Sequence, residues 1–169
     1  MKKWILIMVV LVMVVIISGC TTNQTQPANN TYSANGLSFI YPGNWEEMDK
    51  TTYQSILGDK GELLVLVGDG AVDAFGIAKL NSIAGQNATL SDLVMNYNST
   101  LKSNGTEYVS EKYMTVDGVK GYEITVKGSE NYFSSVLFIK NNTSYLVVFE
   151  SSDNDQQTFD WIINSLKMP

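Results

Sequence analysis

Beyond residue 33 the apolar positions come in short runs, each closed by a cluster of Gly, Asn, Asp or Pro. Leu37 to Tyr41 reads as a strand stopped by Pro42-Gly43-Asn44. Residues 62–67 and 74–80 form a predicted hairpin across Gly68-Asp69-Gly70. The period then changes. Leu90, Leu93, Val94, Tyr97 and Leu101 share one helical face, which predicts a helix over 89–103 with Thr89 capping its start, Asp92 in its first turn and Asn104-Gly105 ending it.

Four further strands are predicted over 108–116, 119–127, 132–140 and 144–150, an antiparallel meander turned at Asp117-Gly118, 128–131 and 141–143. Tyr122, Ile124 and Val126 alternate with Glu123, Thr125 and Lys127, which predicts one solvated face on that strand. Ser110 and Ser134 read as solvent-facing strand residues. The last two strands are apolar on both faces and are expected at the centre of the sheet. A terminal helix over 155–168 places Phe159, Ile162, Ile163 and Leu166 together, with Ser152 or Asp153 as its cap. The expected class is α+β: an antiparallel sheet of six to seven strands sandwiched by helices.

The N-terminus follows a different pattern. Lys2 and Lys3 precede an unbroken apolar run over 4–17, then Ser18, Gly19 and Cys20. As a helix the run would span about 21 Å, short of the roughly 30 Å hydrocarbon core, so it reads as a signal peptide over 1–19. Ile17-Ser18-Gly19-Cys20 resembles the lipobox of bacterial and archaeal lipoproteins, which implies cleavage before Cys20 and a lipid on its thiol. An uncleaved N-terminal helix is the alternative, and either would tether the rest of the chain outside a membrane. Residues 20–33 are rich in Thr, Asn and Gln and are expected to form a flexible tether, with the domain over 34–169.

Gly36-Leu37-Ser38-Phe39-Ile40-Tyr41-Pro42-Gly43-Asn44-Trp45 resembles the opening strand and turn of PsbP-like domains, and the order of elements after it is similar. That resemblance implies an α/β/α sandwich and a non-enzymatic binding or assembly role, without naming a partner. Trp45 is expected to pack over a sheet end.

Composition removes several chemistries. All 11 basic residues are lysine, and loss of the signal leaves nine against 17 acidic residues. An acidic surface without arginine repels phosphate backbones, so nucleic acid is excluded as a partner, and no basic patch is available for anionic lipid. With no histidine, and Cys20 the only cysteine, neither a Ser-His-Asp nor a Cys-His site can form, nor a metal site of those ligands. Neither a P-loop nor a dinucleotide fingerprint is present. No catalytic residue, cofactor or metal site is therefore expected. A carboxylate pair such as Glu46 and Glu47 lies next to a turn and reads as a solvated surface.

Calcium has two weak candidates. Asp153-Asn154-Asp155 starts like a calcium loop but has Thr158 where glycine is required and Asn164 where the bidentate glutamate belongs. Asp69 and Asp73 lie around Gly70, where turn chemistry is the stronger explanation. Seven Asn-x-Ser/Thr sequons, at Asn23, Asn29, Asn87, Asn98, Asn104, Asn141 and Asn142, exceed the about three that chance would place, and mark possible glycosylation sites. The turn preference of Asn, Ser and Thr is the competing explanation.

Three functions follow in order: a lipid-anchored module at the outer membrane face that docks on an exported or membrane protein, a lipid-anchored binder of a small ligand or calcium, and a carboxylate hydrolase. The first expects an exposed aromatic or aliphatic surface, with Tyr113, Tyr132 and Trp161 as its first members. The second expects an enclosed pocket ringed by Tyr and Trp.

Overall fold

The computed structural model of the chain describes residues 28–81, 88–103 and 107–169. Cys20, the apolar run before it, and the sequons at Asn23, Asn87 and Asn104 lie outside the described residues.

The chain order is β1 (Asn30–Ala34), β2 (Leu37–Tyr41), β3 (Glu46–Glu47), α1 (Thr51–Leu57), a 3-10 turn (Gly58–Lys60), β4 (Gly61–Gly68), β5 (Ala74–Leu80), α2 (Leu90–Ser103), β6 (Glu107–Val116), β7 (Val119–Lys127), β8 (Tyr132–Lys140), β9 (Thr143–Ser151) and α3 (Gln156–Ser165). Strands β3 to β9 form one seven-stranded antiparallel sheet in the order β3-β4-β5-β9-β8-β7-β6, while β1 and β2 form a separate hairpin. The two strands predicted to be central, β8 and β9, are central. No helix among the described residues is long and apolar enough to cross a membrane.

Pleating assigns the core. One face of the sheet carries Val65 and Val67 from β4, Phe75 and Ile77 from β5, Val147 and Phe149 from β9, and Val136 and Phe138 from β8. Phe159, Ile162 and Ile163 of α3 close this face together with Leu37, Phe39 and Tyr41 of β2. Each such side chain contributes about 1.5–3 kcal/mol when fully buried. Helix α3 starts at Asp155, whose carboxylate accepts the Thr158 backbone N–H at 3.0 Å; the cap expected at Ser152 or Asp153 lies two or three residues later.

The opposite face holds α1 and α2. Thr89 and Asp92 form the expected reciprocal cap: Asp92 Oδ2 accepts the Thr89 N–H at 2.9 Å, and Thr89 Oγ1 accepts the Asp92 N–H at 3.3 Å. Leu93 is buried, and Tyr97 Oη sits 2.7 Å from Ser135 Oγ on β8. On α1, Gln54 brackets the start of β4, donating to the Gly61 carbonyl at 2.9 Å and accepting the Leu63 N–H at 2.7 Å.

Four expectations are corrected. The strand β1 occupies the last residues assigned to the tether, because Tyr32 stacks on Phe39 at 5.3 Å and an otherwise polar segment gains a full ladder with β2. Helix α1 and the two-residue β3 stand where no element was expected. Glu123 and Thr125, assigned to a solvated face, are 1% exposed, because α3 covers that side of β7. Ser134 is buried beside them, its hydroxyl 3.0 Å from that of Thr125.

Candidate functional site

The edge strand β6 differs from the rest of the sheet. It is ten residues long, pairs only with β7, and is exposed from Glu107 to Tyr113. Its turn into β7 requires a left-handed backbone at both central residues, Asp117 (φ 44°) and Gly118 (φ 81°), the geometry that matches strand twist in a tight hairpin. The outer row of N–H and C=O groups of β6 has no partner strand among the described residues. A register shift between Tyr108 and Ser110 leaves Val109 as the irregular residue, 44% exposed.

Tyr113 is 63% exposed on this strand. It meets Tyr122 edge-on at 4.9 Å, and the Lys120 ammonium lies 3.7 Å from its ring centroid. Tyr108 stands on the same side of the strand. Burial and the neighbouring Glu111 push the Tyr122 hydroxyl above its ordinary value.

Behind the patch, the other side of β6 is held by charge. Glu123 Oε1 accepts a hydrogen bond from Gln156 Nε2 of α3 at 3.0 Å. Its Oε2 is buried, accepts no hydrogen bond of good geometry, and is compensated only by the Lys112 ammonium of β6 at 3.2 Å. At the hairpin turn, Asp117 binds Lys140, Lys167 at 3.4 Å and the Met168 backbone N–H at 2.8 Å. The hydrogen bonds from Lys140 and Met168 hold its carboxyl below the usual carboxylate range.

The other expected surface residues do not join Tyr113. Tyr132 is half-buried at the start of β8, on the α3 face, with Lys127 5.7 Å from its ring. Trp161 is half-buried against the core on α3 and lines a cleft of 470 Å³ formed with the Pro42-Gly43-Asn44 turn. Trp45 is buried and stacks on Phe149 at 6.2 Å, over the sheet end. Of the described sequons, Asn29, Asn141 and Asn142 are exposed, and Asn98 is half-buried on α2.

The two loops weighed for calcium are brought together. Burial, together with Asp69, Asp153 and Asp155, raises the Asp73 carboxyl against one hydrogen bond from the Ser152 N–H. Asp69 Oδ1 is already filled by the backbone N–H groups of Ala71, Val72 and Asp73, at 2.8, 3.0 and 3.1 Å. Among the described residues no group of three or more such side chains could hold a metal ion. Glu46 and Glu47 form the exposed β3. On the α1 side of the sheet, Ala74, Gly76 and Ala78 form the floor of a small apolar groove of 180 Å³ between α1 and β9.

Tyr113 is exposed, as the surface expected from the sequence requires, whereas the Glu123–Gln156 contact was not foreseen, since it joins distant segments. A glutamate next to a buried isoleucine in an alternating strand carries no local sign of burial.

A comparison with curated proteins finds no match. Among solved structures, the cyanobacterial PsbP protein CyanoP of Synechocystis sp. PCC 6803 superposes with a TM-score of 0.60 at 13% identity, covering 89% of this chain and 98% of that one. A Pseudomonas aeruginosa protein of unknown function described as a putative regulator gives 0.46 at 11% identity, over 78% of this chain and 88% of its own. A Bacteroides thetaiotaomicron structure gives 0.45 at 13% identity, over 86% and 49%. The family model for PsbP-like protein matches residues 4–168, and the chain therefore belongs to the PsbP-like family.

Proposed function

We propose that the chain is a lipid-anchored, extracytoplasmic binding module that docks on an exported or membrane protein through the β6 edge and the Tyr113 patch. The observation that carries this reading is the open ten-residue edge strand beside a largely exposed tyrosine. An unpaired edge of that length offers main-chain hydrogen bonds to an extended segment, and the tyrosines on one side supply the anchor. Localisation comes from the lipid on Cys20, which leaves the acidic surface free for recognition.

A photo-crosslinking residue at position 113 of the full chain, expressed in its native membrane, tests this. Adducts with an exported or membrane protein are expected from position 113, and none from the exposed Asn164 on α3. Equal labelling from both positions would remove the β6 edge as the docking surface. Cys20→Ser tests the anchor separately: an unlipidated, uncleaved precursor is expected by mass spectrometry.

A further inference from the structure

The cleft at the far end of the α3 face has a different chemistry. Its walls are the amides of Asn29, Asn44 and Gln157, the Thr158 hydroxyl, the Asp155 carboxylate and the indole of Trp161. No lysine lines it, so an anionic ligand finds no counter-charge there. The three amides make no hydrogen bond within the described residues, which leaves their donors and acceptors open to the cleft or to water. Asp155 uses Oδ1 for the helix cap, and its other oxygen remains an acceptor.

The walls are already in place. Asn30 Nδ2 donates to the carbonyls of Trp45 at 3.0 Å and Gly43 at 3.5 Å, the Trp45 N–H closes the turn on the Pro42 carbonyl at 2.9 Å, and Trp45 itself is buried. A site whose walls need no ordering loses less on binding.

We propose that this cleft binds a neutral saccharide ring. A pyranose carries hydroxyls around its rim and C–H groups on its faces, and both find counterparts among the amide, hydroxyl and indole residues of this lining. Its rim hydroxyls suit side-chain amides, which donate and accept at adjacent atoms, and its C–H face suits an indole. The volume of 470 Å³ accommodates one or two rings. The ring has two possible sources, a free or partner-borne glycan, or a glycan on Asn29 itself, which begins the sequon Asn29-Asn30-Thr31 at the cleft wall. This site is separate from the β6 edge, and neither proposal depends on the other.

The test is saturation-transfer NMR on the full chain in a detergent without a sugar headgroup, with glucose, mannose and N-acetylglucosamine each at about 10 mM. Wild type and Thr31→Ala, which removes the sequon but keeps the Asn29 amide, are compared. Transfer to ring C–H protons is expected in at least one of the two. Transfer only in Thr31→Ala, with a hexose mass on the wild-type chain, identifies the chain's own glycan as the occupant. Transfer in both identifies an external saccharide. Trp161→Phe is expected to weaken binding several-fold, and Gln157→Ala, an exposed change, by about tenfold without altering the melting temperature. No transfer in either protein, or transfer unchanged in both Trp161→Phe and Gln157→Ala, overturns the proposal.

Discussion

At one edge of the sheet, β3 contributes two glutamates, and the chain around it is fixed by an aromatic: Trp45, next to β3, is buried against Phe149. At the other edge, β6 runs ten residues and is fixed by charge, through Lys112 to Glu123 and through Asp117 to Lys140 and the Met168 backbone N–H. Both edges are closed to the core, but by forces that respond to different conditions. Apolar packing has no charge to screen and no group to titrate, whereas ion pairs at a partly wet edge weaken as ionic strength rises and as their carboxylates protonate. The short edge has little left to offer another chain, and the long one keeps its outer ladder and its tyrosine free.

The sharpest break of this contrast is Trp45→Ala, expected to cost about 3–5 kcal/mol in urea unfolding, with no dependence on salt. Lys112→Ala comes next. It leaves a buried carboxylate without its cation, at about 1–3 kcal/mol given that Lys112 is itself half exposed, and Glu123→Gln in the same chain should recover part of the loss. Asp117→Asn should cost about 1–2 kcal/mol at neutral pH. The Asp117 carboxyl is depressed in the folded state, so its contribution is full above the unfolded value and disappears as pH falls through the folded one. Wild type and Asp117→Asn should therefore converge in stability at acid pH.

Tyr113→Ala should change stability by no more than about 1 kcal/mol while abolishing crosslinks from a photo-crosslinking residue moved to the exposed Val109 of the same strand, separating docking from folding. The smallest effect has the opposite sign. Asp73 is raised in the folded state, so its ionised form opposes folding at neutral pH, and this penalty fades as pH drops through the raised value. Asp73→Asn should raise the melting temperature slightly at pH 7, a gain reduced by solvent screening, and hydrogen exchange should show no change at the β6 edge.

The sheet was legible because its strands alternate and its turns are marked: Ala74–Leu80, Val119–Lys127 and Tyr132–Lys140 have the bounds that the pattern predicts. Helix α2 was legible because Thr89 and Asp92 carry a local signal. Strand β1 was not, since Asn-Thr-Tyr-Ser-Ala is polar enough for a linker and becomes a strand only by pairing with β2. Helix α1 has seven residues and no side-chain cap, so nothing local announces it. The cleft was half legible. Helical period put Phe159, Ile162 and Ile163 inward and left Trp161 beside them, but nothing in that period says that the Pro42-Gly43-Asn44 turn stands opposite.

The β1–β2 hairpin also determines how the fold answers a pull on its N-terminus. Asn30 pairs with Tyr41 at the open end of the hairpin, so force entering from residue 28 acts on one ladder rung at a time and peels β1 toward the turn at Asn35-Gly36. Strand β2 is stitched elsewhere, by paired backbone bonds between Ser38 and Lys167 and by the Ile40 N–H donating to Ser165 Oγ. Peeling would thus stop at β2. The fold would lengthen by one strand under light load while the seven-stranded sheet stayed intact, acting as a mechanical fuse between the sheet and the chain that precedes it.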